Sequence, residues 1–383
     1  MLLAAGLAAG SAFSADTAPG TTAQTGPEGL APDTIVTPLR DAPAAPGAPI
    51  VGPAPIPERP MPHIALILPL ASPLLGRVSE AVREGFFAAH EAAGKNALAI
   101  RMTATPDDGP SLLAACLNSQ KSGAVLVITG LTRDGATAVA KSDCPRQPTL
   151  LLNQPLDGEP PVNVFSVSLS LEQEARQAAL LAVNDGWHSA IVIAGPSPLA
   201  KRVQEAFERE WVRSAGELRA KIVFTGGVEE APAIKERIAP INTQIVFLAL
   251  DQAAARAVRP YISATLPIYA TTLSIDPRAD TTVNVDLQGV RYLDMPWFVQ
   301  PDHPAVMAYP RPREAMAVEQ ERLYALGIDA YRLADHLLHP EERARPLDGV
   351  TGKLTLEPGN QFARTLTPAE MDGGRAIASK PSP

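Results

Sequence analysis

From His63 onward the chain alternates short unbroken apolar runs with amphipathic stretches of helical period. HIALILPL (63–70) is apolar throughout, the pattern of a strand buried on both faces of a parallel sheet. RVSEAVREGFFAAHEAAG (77–94) then places Val78, Val82, Phe86 and Ala89 on one helical face. Glu80, Arg83 and Glu84 form a solvated face beside it, and a glycine ends the pattern. The alternation continues through ALAIRMT (97–103), a helix near 111–119, AVLVITG (124–130), a helix near 134–141, TLLLN (149–153) and VNVFSVS (162–168). Parallel strands joined by crossover helices make a doubly wound lobe.

A second series follows. SLEQEARQAALLAVNDG (170–186) opens with the Ser170-x-x-Gln173 capping-box pattern, and SAIVIAG (189–195) comes next. A helix near 198–214, KIVFTG (221–226), a short helix near 233–238, QIVFLAL (244–250), a helix near 253–261 and LPIYATTL (266–273) complete a lobe of the same kind. The strand Val290–Leu293 then runs into Asp294, Met295, Pro296, Trp297 and Phe298, a helix-breaking proline beside two large aromatics. A long helix near 316–338 and a glycine-turned hairpin in GVTGKLTLEPGNQFARTLTP (349–368) close the pattern. The fold class expected is α/β, two doubly wound Rossmann-like lobes preceded by a linker.

Composition narrows the function. A chain of 383 residues, 46% hydrophobic, is a globular protein with a real core, and a net charge of −8 excludes the basic footprint of a nucleic-acid binder. The N-terminal stretch MLLAAGLAAGSAFS reads as an export signal over 1–15, because its run of about 13 apolar or small residues is too short to span a bilayer. Residues 16–60 hold eleven of the 39 prolines with no apolar period, so a Pro/Ala-rich disordered linker is expected there. Cys116 and Cys144 are the two cysteines, 28 residues apart; in an oxidising compartment they either form a disulfide or sit as separate buried thiols. Neither can carry a lipoprotein's acyl chain near the N-terminus, so outer-membrane association is expected only with a lipidated cysteine upstream.

The common catalytic signatures are missing. Ser-x-x-Lys, Gly-x-Ser-x-Gly, the phosphate-binding Walker loop, Gly-x-Gly-x-x-Gly and His-Glu-x-x-His do not occur, so no catalytic residue, cofactor or metal site is expected. His336 and His339, at the end of the long helix, fit capping and surface roles better than metal binding. Asp329 lies between Ile328 and Ala330 on the same helix, where a buried carboxylate must find hydrogen-bond donors.

Two such lobes, followed by LGIDAYRLADHLL (326–338) and the glycine-rich hairpin, resemble the type I periplasmic binding protein fold. LILPLASPLLGRVSEAVREGFFAAH, ITGLTRDGATAVA, LPIYATT, VDLQGVRYLDMPWF, RLYALGIDAYRL and VTGKLTL, in this order, further resemble the LppC-type family of outer-membrane lipoprotein activators of penicillin-binding proteins. The resemblance implies a body over 61–372, with lobe 1 at about 62–169 and 299–340 and lobe 2 at about 170–290 and 349–367, and a flexible tail over 373–383. It also implies a non-catalytic periplasmic activator that docks on a bifunctional penicillin-binding protein, a peptidoglycan synthase. The alternative is a solute receptor that delivers an amino acid or similar ligand to an ABC transporter.

Receptors of this fold clamp a ligand carboxylate in turns after first-lobe strands, which points to Thr132 and Arg133 as anion contacts unless that turn faces solvent. The fold also puts Asp294–Phe298 at the hinge. Packed plug, partner surface and aromatic cleft wall are the three roles open to it.

Overall fold

The computed structural model describes residues 61–227 and 229–379; the expected export signal and linker lie outside the described residues. The first lobe runs β1 (His63–Leu68), α1 (Gly76–Ala93), β2 (Ala99–Ala104), α2 (Pro110–Lys121), β3 (Ala124–Thr129), α3 (Arg133–Ala140), β4 (Thr149–Leu151) and β5 (Val164–Val167). The second runs α4 (Leu171–Asn184), β6 (Ser189–Ala194), α5 (Pro198–Arg213), β7 (Glu217–Val223), α6 (Ala231–Ile238), β8 (Ile245–Ala249), α7 (Gln252–Val258), β9 (Ile268–Ala270), α8 (Thr281–Asn284) and β10 (Val290–Asp294). The chain then returns through α9 (Pro296–Val299), α10 (Pro304–Met307), α11 (Val318–Leu338), β11 (Leu347–Asp348), β12 (Lys353–Glu357), β13 (Gln361–Thr365), β14 (Thr367–Asp372) and β15 (Arg375–Ala378).

Two sheets result. The first has eight strands in the order β11-β12-β13-β5-β4-β3-β1-β2, the second seven in the order β15-β14-β10-β9-β8-β6-β7. Every residue of β1 is buried, as its unbroken apolar run requires, whereas β2 closes the sheet as an exposed edge. Helices cover both faces of each sheet. In the second lobe, Phe207 of α5 stacks on Phe247 of β8 with ring centroids 3.9 Å apart, while Ile234 and Val258 pack the opposite face. Ser170 caps α4 by accepting from the Gln173 amide at 3.3 Å; the Gln173 side-chain oxygen finds no partner, so only half of the capping box forms.

Two boundaries differ from the sequence expectation. Residues 349–367 were expected in lobe 2, yet the β12–β13 hairpin belongs to lobe 1: β13 pairs in parallel with β5, Gln361 opposite Ser166 and Phe362 opposite Val167. The cause is Phe362, buried against Phe165 in the first-lobe core, so the hairpin must stay there until the chain crosses at Leu366. Gly359 and Asn360, with φ of 85° and 58°, make its turn. The tail expected over 373–383 is ordered through β15, which folds back on β14 across Gly373 and Gly374 at positive φ. The chain thus crosses between lobes three times, at 168–171, 294–296 and 365–367.

The first lobe depends on a close helix crossing. A Cβ on Gly85 of α1 would lie 1.9 Å from the Tyr324 carbonyl oxygen, and one on Gly327 of α11 would lie 2.1 Å from that of Val82. Backbone meets backbone there. Gly327→Ala should therefore destabilise the protein by about 2–3 kcal/mol through overpacking. Gly158→Ala, at positive φ with nothing within 4 Å, should lose only about 1 kcal/mol. Denaturant unfolding of both variants checks this, and equal losses would remove the helix crossing as the cause.

Candidate functional site

The junction of the lobes is built on the 294–298 motif. Pro296 takes the first turn of α9, where its missing N–H and fixed φ end the pairing of β10 without cost to the helix. Asp294 is buried, accepts from the Met295 amide at 2.8 Å and forms a two-point pair with Arg322 of α11, one arm at 2.9 Å. Met295 and Trp297 enter the first-lobe core. The Trp297 indole N–H donates to Glu321 at 2.9 Å, and the Arg311 guanidinium lies 4.0 Å over its ring. Phe298 touches the cores of both lobes and carries Arg322 at 4.7 Å and Arg278 at 5.6 Å. Arg278, from the second lobe, also pairs with Glu321 of the first. In this structure the motif is packed hinge material, and Trp297 offers no surface to a partner.

Around it lies a buried cluster of charge. Glu174 of α4 accepts from the Thr272 amide at 3.1 Å and hydroxyl at 2.6 Å, and its other oxygen lies 3.9 Å from Arg364 of β13. Arg364 donates to the carbonyls of Ser168 at 2.8 Å, at the first crossing, and Thr351 at 3.1 Å, in the loop before β12. Burial pushes the Glu174 carboxyl up against the pull of Arg322 and Arg364, and it pushes the Arg364 guanidinium down against the pull of Glu174. Burial also lowers Arg322, but the charge of Asp294, its hydrogen bonds and the nearby charge of Glu174 together outweigh burial and raise it. Asp329, raised by burial, is held by the Val350 amide at 3.0 Å and by the Thr351 amide and hydroxyl at 2.7 and 2.6 Å. Gln177 adds a neutral clasp to the third crossing, donating to the Arg364 carbonyl at 2.8 Å and accepting from the Leu366 amide at 2.9 Å.

The cleft face is set by the β3–α3 turn. Thr132 caps α3, accepting from the Gly135 amide at 3.0 Å, and donates both its amide and its hydroxyl to Asp108 at 2.7 Å. Arg133 reaches across to Glu172 of the second lobe at 2.9 Å, where Arg202 of α5 also binds at 3.0 Å. Burial pushes Glu172 up, yet hydrogen bonds from its own amide and Ser170 and the charge of Arg133 hold it below the usual carboxylate range. Both candidate anion contacts are thus engaged by carboxylates of the chain itself. Beneath them a cavity of about 270 Å³ is walled by Leu131, Leu152, Leu199 and Leu323.

The remaining candidates lie elsewhere. Cys116 of α2 and Cys144 are joined, with Cα atoms 5.9 Å apart, in a small core on the far face of the first sheet. His339 bonds the Asp335 carbonyl at 2.8 Å, and His336 is buried 3.8 Å from Glu342. Among the described residues no three metal-ligating side chains converge, and no helix is long and apolar enough to cross a membrane. Sequence reasoning missed Asp108, Glu172, Glu174, Glu321, Arg322 and Arg364. Glu321 and Arg322 are adjacent near the start of α11, but that helix also carries Glu319, Asp329, Arg332 and Asp335, so nothing in the sequence set them apart.

Comparison with known proteins follows this architecture. The model of the family described as "LppC putative lipoprotein" matches residues 55–241 and 235–374. The penicillin-binding protein activator LpoA of Photobacterium profundum is 25% identical over 335 residues, covering 77% of this chain and 53% of that protein. LpoA of Escherichia coli K12 is 25% identical over 306 residues, covering 67% and 44%. The chain therefore spans about half the length of the curated relatives it matches. Among solved structures, the C-domain of LpoA (YraM) from Haemophilus influenzae, a regulator of PBP1A, superposes with a TM-score of 0.67 at 20% identity, over 83% of this chain and 100% of that one. A "putative branched-chain amino acid ABC transporter" from Chromobacterium violaceum superposes with a TM-score of 0.70 at 32% identity, over 81% and 100%.

Asp294→Asn should leave the Arg322 guanidinium buried without a full counter-charge and destabilise the protein by about 3–5 kcal/mol. Glu80→Gln, which breaks the half-exposed Arg83 pair, should lose about 1 kcal/mol or less. Urea midpoints of the two variants measure the contrast, and a small loss for Asp294→Asn would show that the hinge does not depend on this pair.

Proposed function

The chain belongs to the LppC lipoprotein family, and from that premise we propose that it is a non-catalytic activator of a bifunctional penicillin-binding protein, acting by protein–protein docking in the periplasm. The curated relatives it matches are named penicillin-binding protein activators, which supports a regulatory role. The observation that carries the reading is the engagement of Thr132 by Asp108 and of Arg133 by Glu172. A receptor needs those donors free for its ligand; a docking protein instead gains a fixed relation between its lobes. Attachment to the outer membrane belongs to the same reading, and it requires a lipidated native N-terminus, which mass spectrometry of the mature protein detects.

A second reading has its own support. The 32% identity to the Chromobacterium violaceum protein and the leucine-walled cavity under the Arg133–Glu172 pair favour a receptor for a small aliphatic amino acid. The two readings separate in one pair of experiments. The full chain, titrated into glycosyltransferase and transpeptidase assays of the bifunctional synthases of its own organism, should stimulate at least one of them several-fold. In parallel, branched-chain amino acids should leave its melting curve unchanged. A ligand at a hundred-fold excess over Kd adds about 2.7 kcal/mol, so a receptor would show a shift of several degrees. Such a shift without stimulation would overturn the activator reading.

A further inference from the structure

We infer that the flank of the inter-lobe cleft, between α3, α4 and α5, is a binding site for a multiply charged oxyanion ligand, phosphate or carboxylate. The chain as a whole carries a net charge of −8, yet one cavity of about 300 Å³ gathers Arg133, Arg176, Arg202 and Arg209 against Glu172 and Glu205. Four guanidiniums against two carboxylates leave a local excess of two positive charges. Helical spacing produces the cluster: Glu172 and Arg176 are one turn apart on α4, and Arg202, Glu205 and Arg209 follow at i, i+3 and i+7 on α5. Arg133 supplies the wall from the other lobe.

The internal pairing shows what the site accepts and what it leaves open. A single oxygen of Glu172 sits between Arg133 at 2.9 Å and Arg202 at 3.0 Å, so the cluster already holds one carboxylate between guanidiniums of opposite lobes. Arg176 and Arg209 line the same space and have no hydrogen bond or ion pair among the described residues, Glu205 included. Gln154 lines the same space from the first lobe, beside Arg133. A site made of donors from both lobes binds best when the lobes stand in the arrangement seen here. This inference does not rest on the synthase reading, since it is tested by binding to the protein alone.

The test is calorimetric titration of the full chain with inorganic pyrophosphate and, separately, with a tetraglutamate peptide. At least one should bind saturably, more weakly as ionic strength rises. Arg176→Gln and Arg209→Gln should each weaken that binding about ten-fold, and the double variant about a hundred-fold. Arg209 is exposed and Arg176 half-buried, so an unchanged melting curve is expected to accompany the loss. Lys141→Gln, at an exposed pair with Asp157, should leave binding intact. Pyrophosphate alone would assign a phosphate ligand, tetraglutamate alone a carboxylate one, and both together a site selected by charge. Failure of both probes to bind, or equal binding by the double variant, would overturn the inference.

Discussion

The buried pair of Asp294 and Arg322 is the constraint around which this molecule is arranged. Each partner comes from a different side of a chain crossing, and neither can leave water alone without a penalty of several kcal/mol. Once Asp294 is committed, Arg322 fixes the height of α11 against the end of β10, and Phe298 and Trp297 then have a single place to go. Glu174 and Arg364 extend the same logic to the other two crossings. Such pairs add little net stability over an apolar core of equal volume. Their effect is on alternatives: any slide of one lobe over the other would separate buried charges from their partners.

That constraint bears on how far the two lobes of this fold can move against each other. Ligand-driven hinge closure needs two lobe arrangements within a few kcal/mol of each other. Here the hinge is filled with paired charge, Gln177 clasps the third crossing, and Arg278 with Glu321 and Arg133 with Glu172 bridge the lobes. The likeness to solved structures at 20% identity concerns the fold. Function is a property of sites, and here Thr132 is engaged by Asp108 and Arg133 by Glu172.

Most of the fold was legible because the central strands are short apolar runs and the longer helices carry an apolar stripe, as in HIALILPL with its following helix. The glycine-turned hairpin was visible too, but not its lobe: alternation in β12 and β13 shows which face is apolar and not which core receives it. Phe362 could have packed on either sheet, and only the register beside Ser166 and Val167 decides. The site was less legible for a physical reason. A buried ion pair such as Asp294 with Arg322, or Glu174 with Arg364, joins residues at separations that no helical or strand period relates. In sequence these residues read as ordinary charges. Thr132 and Arg133 lie in the β3–α3 turn, whereas nothing in the sequence ties that turn to their partners Asp108 and Glu172, 24 and 39 residues away.

The three crossings also have a consequence in time. The last third of the chain supplies α11, whose backbone presses on α1, and β14, which completes the sheet beside β10. Neither lobe can close its core from its own first segment. A chain emerging N-terminus first therefore carries two unfinished sheets until nearly all of it is present, with the apolar face of α1 uncovered and β10 an open edge. The interleaving ties the closure of both cores to the emergence of α11 and β14, and the α1 face and the β10 edge need protection from aggregation until those elements are made.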